Sequence, residues 1–148
     1  MKKRLKVNGV LTFLGVLSVA IFPGIFLRPA QAAARNIFIT ACGTCLILLG
    51  QFFRASGRGY KSEHSQNGSA LAGGGPYTLV RNPMYLGILL IGLGIVAVLF
   101  RWWVSGVFLA IFLLRYTLLI FKEEKKLSEM FPREFPEYRA RVPRLMPS

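Results

Sequence analysis

The chain has 148 residues, of which 53% are apolar, and a formal net charge of +13. This length accommodates one domain, which we take as residues 1–148. Four apolar runs of about 18–21 residues exclude an ordinary soluble core and predict membrane-spanning helices. We place these spans at Val7–Leu27, Asn36–Phe53, Pro83–Phe100 and Trp102–Phe121.

The placement of the basic residues explains the high charge without a nucleic-acid partner. Fifteen of them fall in the N-terminal segment, in the loop between the second and third spans, and in the C-terminal tail: Lys2, Lys3, Arg4, Lys6, Arg54, Arg58, Lys61, Arg81, Lys122, Lys125, Lys126, Arg133, Arg139, Arg141 and Arg144. The opposite side carries only Arg28, Arg35 and Arg101. By the positive-inside rule, both termini and the middle loop face the cytoplasm of a bacterial inner membrane.

The spans predict an all-α integral membrane bundle of four helices, paired as two hairpins with outer turns at Arg28–Arg35 and near Arg101. The first span could instead belong to a signal peptide, because small residues at 29–34 resemble a cleavage site. Its apolar run is long for such a peptide, and its removal would place the new N-terminus outside. The sequence therefore favours a retained first span.

The polar segments between and after the spans carry their own signals. We expect Ser56–Ser69 to be flexible, Gly73–Pro76 to form a turn, and Asn82 to cap the third span, which starts at Pro83. The tail, a cytoplasmic amphipathic segment, is predicted to form a helix over Lys122–Phe131, then a stop at Pro132 and a second short helix over Phe135–Val142.

Cys42 and Cys45 form a Cys-x-x-Cys pair inside the second apolar run. A metal or redox site would need polar partners around the sulfur atoms, and the neighbouring sequence offers none. We therefore expect packed, reduced thiols and no metal.

A set of chemically useful groups flanks the last two spans. The third span's N-terminus presents amide donors for an anionic group, and Tyr77 and Tyr85 offer aromatic faces for a cation. Glu123 and Glu124 add negative charge just beyond the fourth span. Together these groups suit a zwitterionic ligand with a cationic centre. The alternative is that the tyrosines are interfacial anchors and the glutamates are solvated.

Arg115 lies inside the fourth apolar run. An arginine at the centre of a membrane helix costs about 2.5–3.5 kcal/mol on insertion scales. Its side chain either reaches the cytoplasmic interface or serves a pocket. We take Arg115 and Glu124 as the candidate catalytic residues.

The order of these motifs resembles a known family. Gly75-Pro76-Tyr77 precedes Arg81–Gly87, and Glu123-Glu124 follows with Leu127, Phe131, Tyr138, Val142, Arg144 and Pro147. This pattern, which covers about residues 60–147, is similar to that of the isoprenylcysteine carboxyl methyltransferases, whose related branches include phospholipid N-methyltransferases.

The resemblance implies an integral membrane enzyme, surrounded by membrane lipids, that transfers methyl groups from S-adenosylmethionine to a lipophilic or small membrane-partitioning acceptor, such as an isoprenylcysteine carboxylate or a phospholipid amine. It implies a cofactor pocket formed by the loop 60–85 and the tail 122–147. The residues that it assigns to the cofactor are Ser69, Ala70, Leu71, Ala72, Tyr77, Asn82, Pro83, Met84, Tyr85 and Glu123.

Two departures from the family pattern concern the acceptor and the cofactor. Asn82 stands where many members have histidine, and Leu119 stands where prenylcysteine-specific members have an arginine linked to the substrate carboxylate. Arg115, one helical turn earlier, is the candidate replacement. The alternative functions are an NADPH-dependent sterol-type reductase, whose usual glutamate is replaced here by Ile88, and a non-enzymatic lipid-binding scaffold.

Overall fold

The structure is a computed structural model that describes residues 13–29, 36–65 and 70–145. These residues form helices and connecting segments, with no β-strand among them, so the predicted all-α class is confirmed for the described part of the chain. The helices are α1 (13–21), α2 (Pro23–Phe26), α3 (Ile37–His64), α4 (Pro83–Leu99), α5 (Trp102–Met130) and α6 (Glu134–Arg141), and a 3₁₀ turn covers Gly75–Thr78.

Helices α3 and α5 are long and apolar enough to cross a bilayer, whereas α4 is apolar but has only 17 residues. Large apolar side chains of α3 and α5 point outward. Phe38 on α3 is 75% exposed, and Trp102 and Leu114 on α5 are 82% and 71% exposed. Exposed apolar surface of this extent is unfavourable in water and is accommodated by lipid. The arrangement of four spans stays a prediction.

The first predicted span is interrupted at Phe22, immediately before Pro23. Proline has no backbone N–H to donate and therefore interrupts a helix. The chain then pairs with the turn between α4 and α5. The Arg28 amide donates to the Leu99 carbonyl at 2.9 Å, and the Arg101 amide donates to the Phe26 carbonyl at 2.9 Å. The predicted outer turn at Arg28–Arg35 lies largely outside the described residues.

Glycines bring α3 and α4 into backbone contact. Gly43, Gly50 and Gly57 repeat every seven residues on α3 and are buried against α4. A Cβ added at Gly50 would lie 2.7 Å from the Gly87 carbonyl oxygen, and one at Gly87 would lie 2.6 Å from the Gly50 carbonyl oxygen. Small residues at such a crossing allow two membrane helices to approach closely. We name Gly43, Gly50, Gly57, Gly87 and Gly94 the glycine seam.

The glycine seam adds a helix contact to the two predicted hairpins, which stay a prediction. The most extensive packing among the described elements joins α3 to α4, across the boundary of the two predicted hairpins. Gly106, the glycine of α5, is exposed and has no heavy atom within 4 Å of its would-be Cβ. Gly92 instead accommodates the Phe108 ring of α5. The pairing therefore depends on the glycines of α3, whose spacing the sequence interpretation overlooked.

Two further expectations are wrong. Ser56–Ser69 was expected to be flexible, yet α3 continues to His64. Gly57 explains the continuation, because it lies against Pro83 at the start of α4 and so packs the helix where composition favours a loop. Cys42 and Cys45 are free thiols as expected, but they lie on the exposed face of α3 and are not packed.

The tail follows the prediction closely. Helix α5 runs without interruption from its apolar part into the polar residues and ends at Met130, and α6 covers Glu134–Arg141. Phe135 and Val142 are buried, which anchors α6 and the segment after it. This fold carries the end of α5 and the tail to the N-terminal end of α4.

Candidate functional site

A cavity of about 300 Å³ lies between the segment 70–85, the end of α3, the last turns of α5 and helix α6. Its wall is formed by Lys61, Ser65, Ala70, Leu71, Ala72, Tyr77, Arg81, Asn82, Pro83, Met84, Tyr85, Glu123, Lys126, Leu127, Met130, Phe131 and Tyr138. The predicted juxtaposition of two stretches that are distant along the chain is therefore present in the structure.

Nine of the ten residues assigned to the cofactor line this cavity, and Ser69 lies outside the described residues. Their role in binding stays a prediction. The sequence interpretation gave no role to Lys61, Arg81, Lys126 or Met130, which also contribute to the wall. In the sequence the two lysines count only towards the positive charge that predicts membrane orientation. Nothing in their local sequence indicates a cavity.

Glycines shape the loop that closes one side of the cavity. Gly75 has φ of 56°, a left-handed conformation that favours glycine, and it starts the 3₁₀ turn. A Cβ at Gly75 would lie 2.7 Å from Cδ2 of Tyr60, whereas one at Gly73 would touch the Tyr138 ring at 3.7 Å. The loop therefore passes between an aromatic side chain of α3 and one of α6.

Tyr85 and Glu123 both line the cavity, and the Glu123 carboxylate lies close enough to the Tyr85 phenol to interact with it electrostatically. The Tyr85 ring packs edge-on against Tyr116 with centroids 5.3 Å apart, and Tyr116 stacks on Phe112 at 4.2 Å. This aromatic row runs along α5 and fixes the position of Tyr85. A phenol and a carboxylate are thus presented together at the place where α4 begins.

The Tyr77 side chain is buried in the cavity wall. The backbone carbonyl oxygen of Tyr77 accepts a 2.8 Å hydrogen bond from the Tyr138 hydroxyl. Burial, together with a smaller contribution from the Glu123 carboxylate, raises the pKa of Tyr77 to about 12. Burial likewise raises the pKa of Tyr138. Both phenols therefore stay neutral and able to donate hydrogen bonds at physiological pH.

This burial of Tyr77 predicts a loss of stability in alkali. An unfolded phenol has a pKa near 10, whereas the folded value is about 12, so the folded state holds the proton more tightly. The stabilisation is complete below pH 10 and is lost as the pH rises towards 12, by at most ~1.4 kcal/mol per pH unit. Thermal unfolding in detergent at pH 9 and pH 11 should show a larger decrease for the wild type than for Tyr77→Phe. Equal decreases would contradict the burial of this hydroxyl.

Asn82 occupies the N-cap position of α4, but its side chain does not cap the helix. Its Nδ2 instead donates to the Arg144 carbonyl oxygen at 3.1 Å. The predicted N-cap position is therefore confirmed, but the side chain bonds to the tail and forms no cap. The first turn of α4 is left without a side-chain cap beside Pro83 and Met84, which line the cavity.

Glu124 is buried and does not belong to the cavity wall. Arg144 binds it through both carboxylate oxygens, with Nε 3.0 Å from Oε1 and Nη2 2.8 Å from Oε2. Arg81 Nη1 lies 3.0 Å from Oε1. Burial lowers the pKa of the Arg81 guanidinium, and Glu124 opposes this shift. With both oxygens engaged, Glu124 has none directed at the cavity, and its predicted catalytic role has no geometric support.

Arg115 is exposed on α5 and does not contribute to the cavity wall. It precedes Glu123 by two turns of a continuous helix. The other candidate catalytic residue is therefore also remote from the space that Tyr85 and Glu123 enclose. Among the described residues no group of three or more His, Cys, Asp and Glu side chains could hold a metal ion.

Comparison with known proteins adds a family to this geometry. The family model described as phospholipid methyltransferase matches residues 19–134, which is most of the chain. The chain belongs to the phospholipid methyltransferase family. The predicted resemblance is thereby confirmed. No curated protein and no solved structure matched the chain.

Membership of the phospholipid methyltransferase family favours a membrane methyltransferase over the reductase that the sequence left open. The matched range contains α3, α4 and α5 together with the loop before α4. It therefore includes most of the cavity wall, and Tyr138 is the wall residue that follows it. The two membrane-length helices agree with the membrane association of the phospholipid methyltransferase family.

Proposed function

We propose that this chain transfers a methyl group from S-adenosylmethionine to a lipophilic acceptor at the cytoplasmic face of a bacterial inner membrane. The observation that carries the proposal is the convergence of Tyr85 and Glu123 in one cavity, since family membership alone does not locate a site. S-adenosylmethionine, when bound, supplies an electrophilic methyl group on a sulfonium sulfur.

The residues of the cavity suit such a ligand. Glu123 offers a carboxylate for an ammonium group, and the faces of Tyr77 and Tyr85 suit a cationic centre. The uncapped first turn of α4 offers the Met84 amide as a backbone donor for a carboxylate, because Pro83 has no N–H and the Tyr85 and Leu86 amides donate to the Asn82 carbonyl oxygen. Leu127 supplies apolar surface, and the volume of about 300 Å³ lies at the lower end of the range for small-molecule sites.

Methyl transfer of this kind needs positioning and exclusion of water more than acid–base catalysis. The buried Tyr77 and the half-buried Tyr85 and Glu123 form a wall that limits the access of water. The electrostatic interaction between Tyr85 and Glu123 and the packing of Tyr116 on Tyr85 hold the wall in one arrangement. The chain's residues therefore orient the reactants, and none of them needs to form a covalent intermediate.

The position of the cavity supports a lipophilic acceptor. It lies where α5 passes from apolar to charged residues, and Leu127, Met130 and Phe131 give one side of it an apolar surface. Lys61 and Lys126 contribute cations to the same wall. A molecule with a polar head and an apolar tail can place its head in such a cavity while its tail stays in lipid.

Calorimetry in detergent tests the proposal directly. Titration with S-adenosylmethionine should release or absorb heat at a stoichiometry near one, and titration with NADPH should not. Binding of NADPH alone would favour the reductase, and binding of neither ligand would favour a lipid-binding scaffold. Incubation of the protein and a lipid extract with methyl-labelled S-adenosylmethionine should then yield a labelled, organic-soluble product, whose identification defines the acceptor.

The proposed orientation has a separate test. Lys126 and Arg133 should be accessible to a membrane-impermeant reagent in inverted inner-membrane vesicles and protected in intact spheroplasts. The reverse pattern would contradict a cytoplasmic tail, with no bearing on the ligand.

A further inference from the structure

The C-terminal tail is fastened to the rest of the molecule by three charged side chains. Arg81 precedes α4, Glu124 belongs to α5, and Arg144 lies in the tail after α6. The side chains of Arg81 and Glu124 are only 9% and 8% exposed, and that of Arg144 is 31% exposed. We name these three residues the latch.

The latch is accompanied by hydrogen bonds that join the tail to the cavity wall. The Arg81 amide donates to the Pro143 carbonyl oxygen at 2.8 Å, and Asn82 Nδ2 donates to the Arg144 carbonyl oxygen at 3.1 Å. The guanidinium of Arg144 also lies over the Phe121 ring, 4.5 Å from its centroid. Two residues of the wall, Arg81 and Asn82, are thus positioned by the segment that the latch holds.

We propose that Glu124 is a positioning residue: with Arg81 and Arg144 it holds the tail closed over the cavity, while the adjacent Glu123 faces the ligand. The geometry of a helix explains this division, because consecutive residues differ by about 100° in direction. One glutamate of the pair is directed to the cavity and the other to the tail. The consequence for ligand binding rests on the proposed function, but the closure of the tail does not.

The charges explain why the latch is sensitive to one substitution. Two guanidinium groups share a single carboxylate. Arg81 Nη1 forms an ion pair with Glu124 but not a hydrogen bond, and Arg81 Nε has no hydrogen-bond partner among the described residues. Removal of the Glu124 carboxylate would leave two neighbouring cations without compensation in a poorly solvated place. Expulsion of Arg144 into solvent relieves this repulsion, because Arg144 is the more exposed of the two. The tail would leave the cavity with it.

The same tail contains a matched control. Glu137 and Arg141 form an ion pair with a 3.4 Å separation, but their side chains are 73% and 77% exposed. An exposed pair of this kind contributes little to stability. Glu137→Gln therefore removes the same chemical group as Glu124→Gln without disturbing a buried partner.

Hydrogen exchange followed by mass spectrometry, on the ligand-free full chain in detergent, tests the latch. In Glu124→Gln and Arg144→Gln, the amides of residues 135–145 and the Arg81 amide should exchange at least about tenfold faster than in the wild type. Glu137→Gln should exchange at the wild-type rate. Arg144→Lys keeps the charge without the planar fork, and an intermediate rate is expected.

Several results would overturn the latch. Wild-type exchange rates in both Glu124→Gln and Arg144→Gln would do so, and so would equal acceleration in Glu137→Gln. Should Glu124→Gln fail to fold, Arg144→Gln retains the test, because its side chain is partly exposed already.

Ligand binding separates this inference from the proposed function. With S-adenosylmethionine, Glu124→Gln should weaken binding and accelerate exchange in the tail together, whereas Glu123→Gln should weaken binding at an unchanged exchange rate. If exchange is faster in Glu124→Gln but the wild type binds no S-adenosylmethionine, the latch is supported and the proposed function is contradicted. Acceleration in Glu123→Gln equal to that in Glu124→Gln would contradict the division of roles.

Discussion

Glu123→Gln is expected to weaken binding of S-adenosylmethionine by roughly 10- to 150-fold and to leave the protein folded. The carboxylate lines the cavity beside Tyr85, and a hydrogen bond to a charged group contributes about 1.5–3 kcal/mol. Glutamine preserves the size of the side chain and removes its charge. Isothermal calorimetry in detergent measures the change, and circular dichroism and gel filtration verify the fold.

Glu129→Gln is the matched control, because Glu129 is an exposed carboxylate on the same helix. It should bind S-adenosylmethionine with wild-type affinity. Tyr85→Phe adds a second arm, since it keeps the aromatic face but removes the hydroxyl that interacts with the Glu123 carboxylate. The combined Glu123→Gln/Tyr85→Phe variant should lose less than the sum of the two single losses. Wild-type affinity in both single variants would refute the assigned pocket.

Gly50→Ala and Gly87→Ala are each expected to destabilise the folded protein by about 1–3 kcal/mol. An added Cβ would lie 2.7 Å and 2.6 Å, respectively, from a carbonyl oxygen of the facing helix. Backbone atoms cannot rotate away as a side chain can, so the two helices must separate. Thermal unfolding in detergent, followed by circular dichroism, measures the loss, and Gly50→Leu should prevent folding.

Gly59→Ala and Gly106→Ala provide the comparison for the glycine seam. Both positions are helical, and an added Cβ would meet nothing within 4 Å. Alanine is the better helix former, so both substitutions should leave the stability unchanged or raise it by up to about 1 kcal/mol. If all four alanine variants unfolded at the same temperature, the close approach of α3 and α4 would be disproved.

The sequence predicted the class of the fold and most of the cavity wall because these depend on patterns that are local. Apolar length identified α3 and α5, and Pro83 marked the start of α4 correctly. The motif that joins Tyr77 to Tyr85 and the glutamates after the apolar run identified two sides of one cavity. Each of these signals resides within a continuous stretch of about twenty residues or fewer.

The failures concern contacts between distant residues. The composition of Ser56–Ser69 favours a flexible loop, but packing of Gly57 on Pro83 outweighs local propensity and extends α3. The adjacent glutamates have the same chemistry, and only the positions of Arg81 and Arg144 determine that Glu124 is the buried one. Arg144 follows Glu124 by 20 residues, a separation for which no periodicity supplies a rule.

The length of helix α5 has a consequence for the height of the proposed site relative to the lipid. Its 29 residues span about 43 Å, whereas the hydrocarbon of a bilayer is about 30 Å thick. Helix α5 is continuous, so a change in bilayer thickness that tilts its membrane-embedded part also moves Glu123 and Lys126. The height at which the proposed acceptor would meet the cavity is therefore set jointly by the thickness of the surrounding bilayer and by the length of α5.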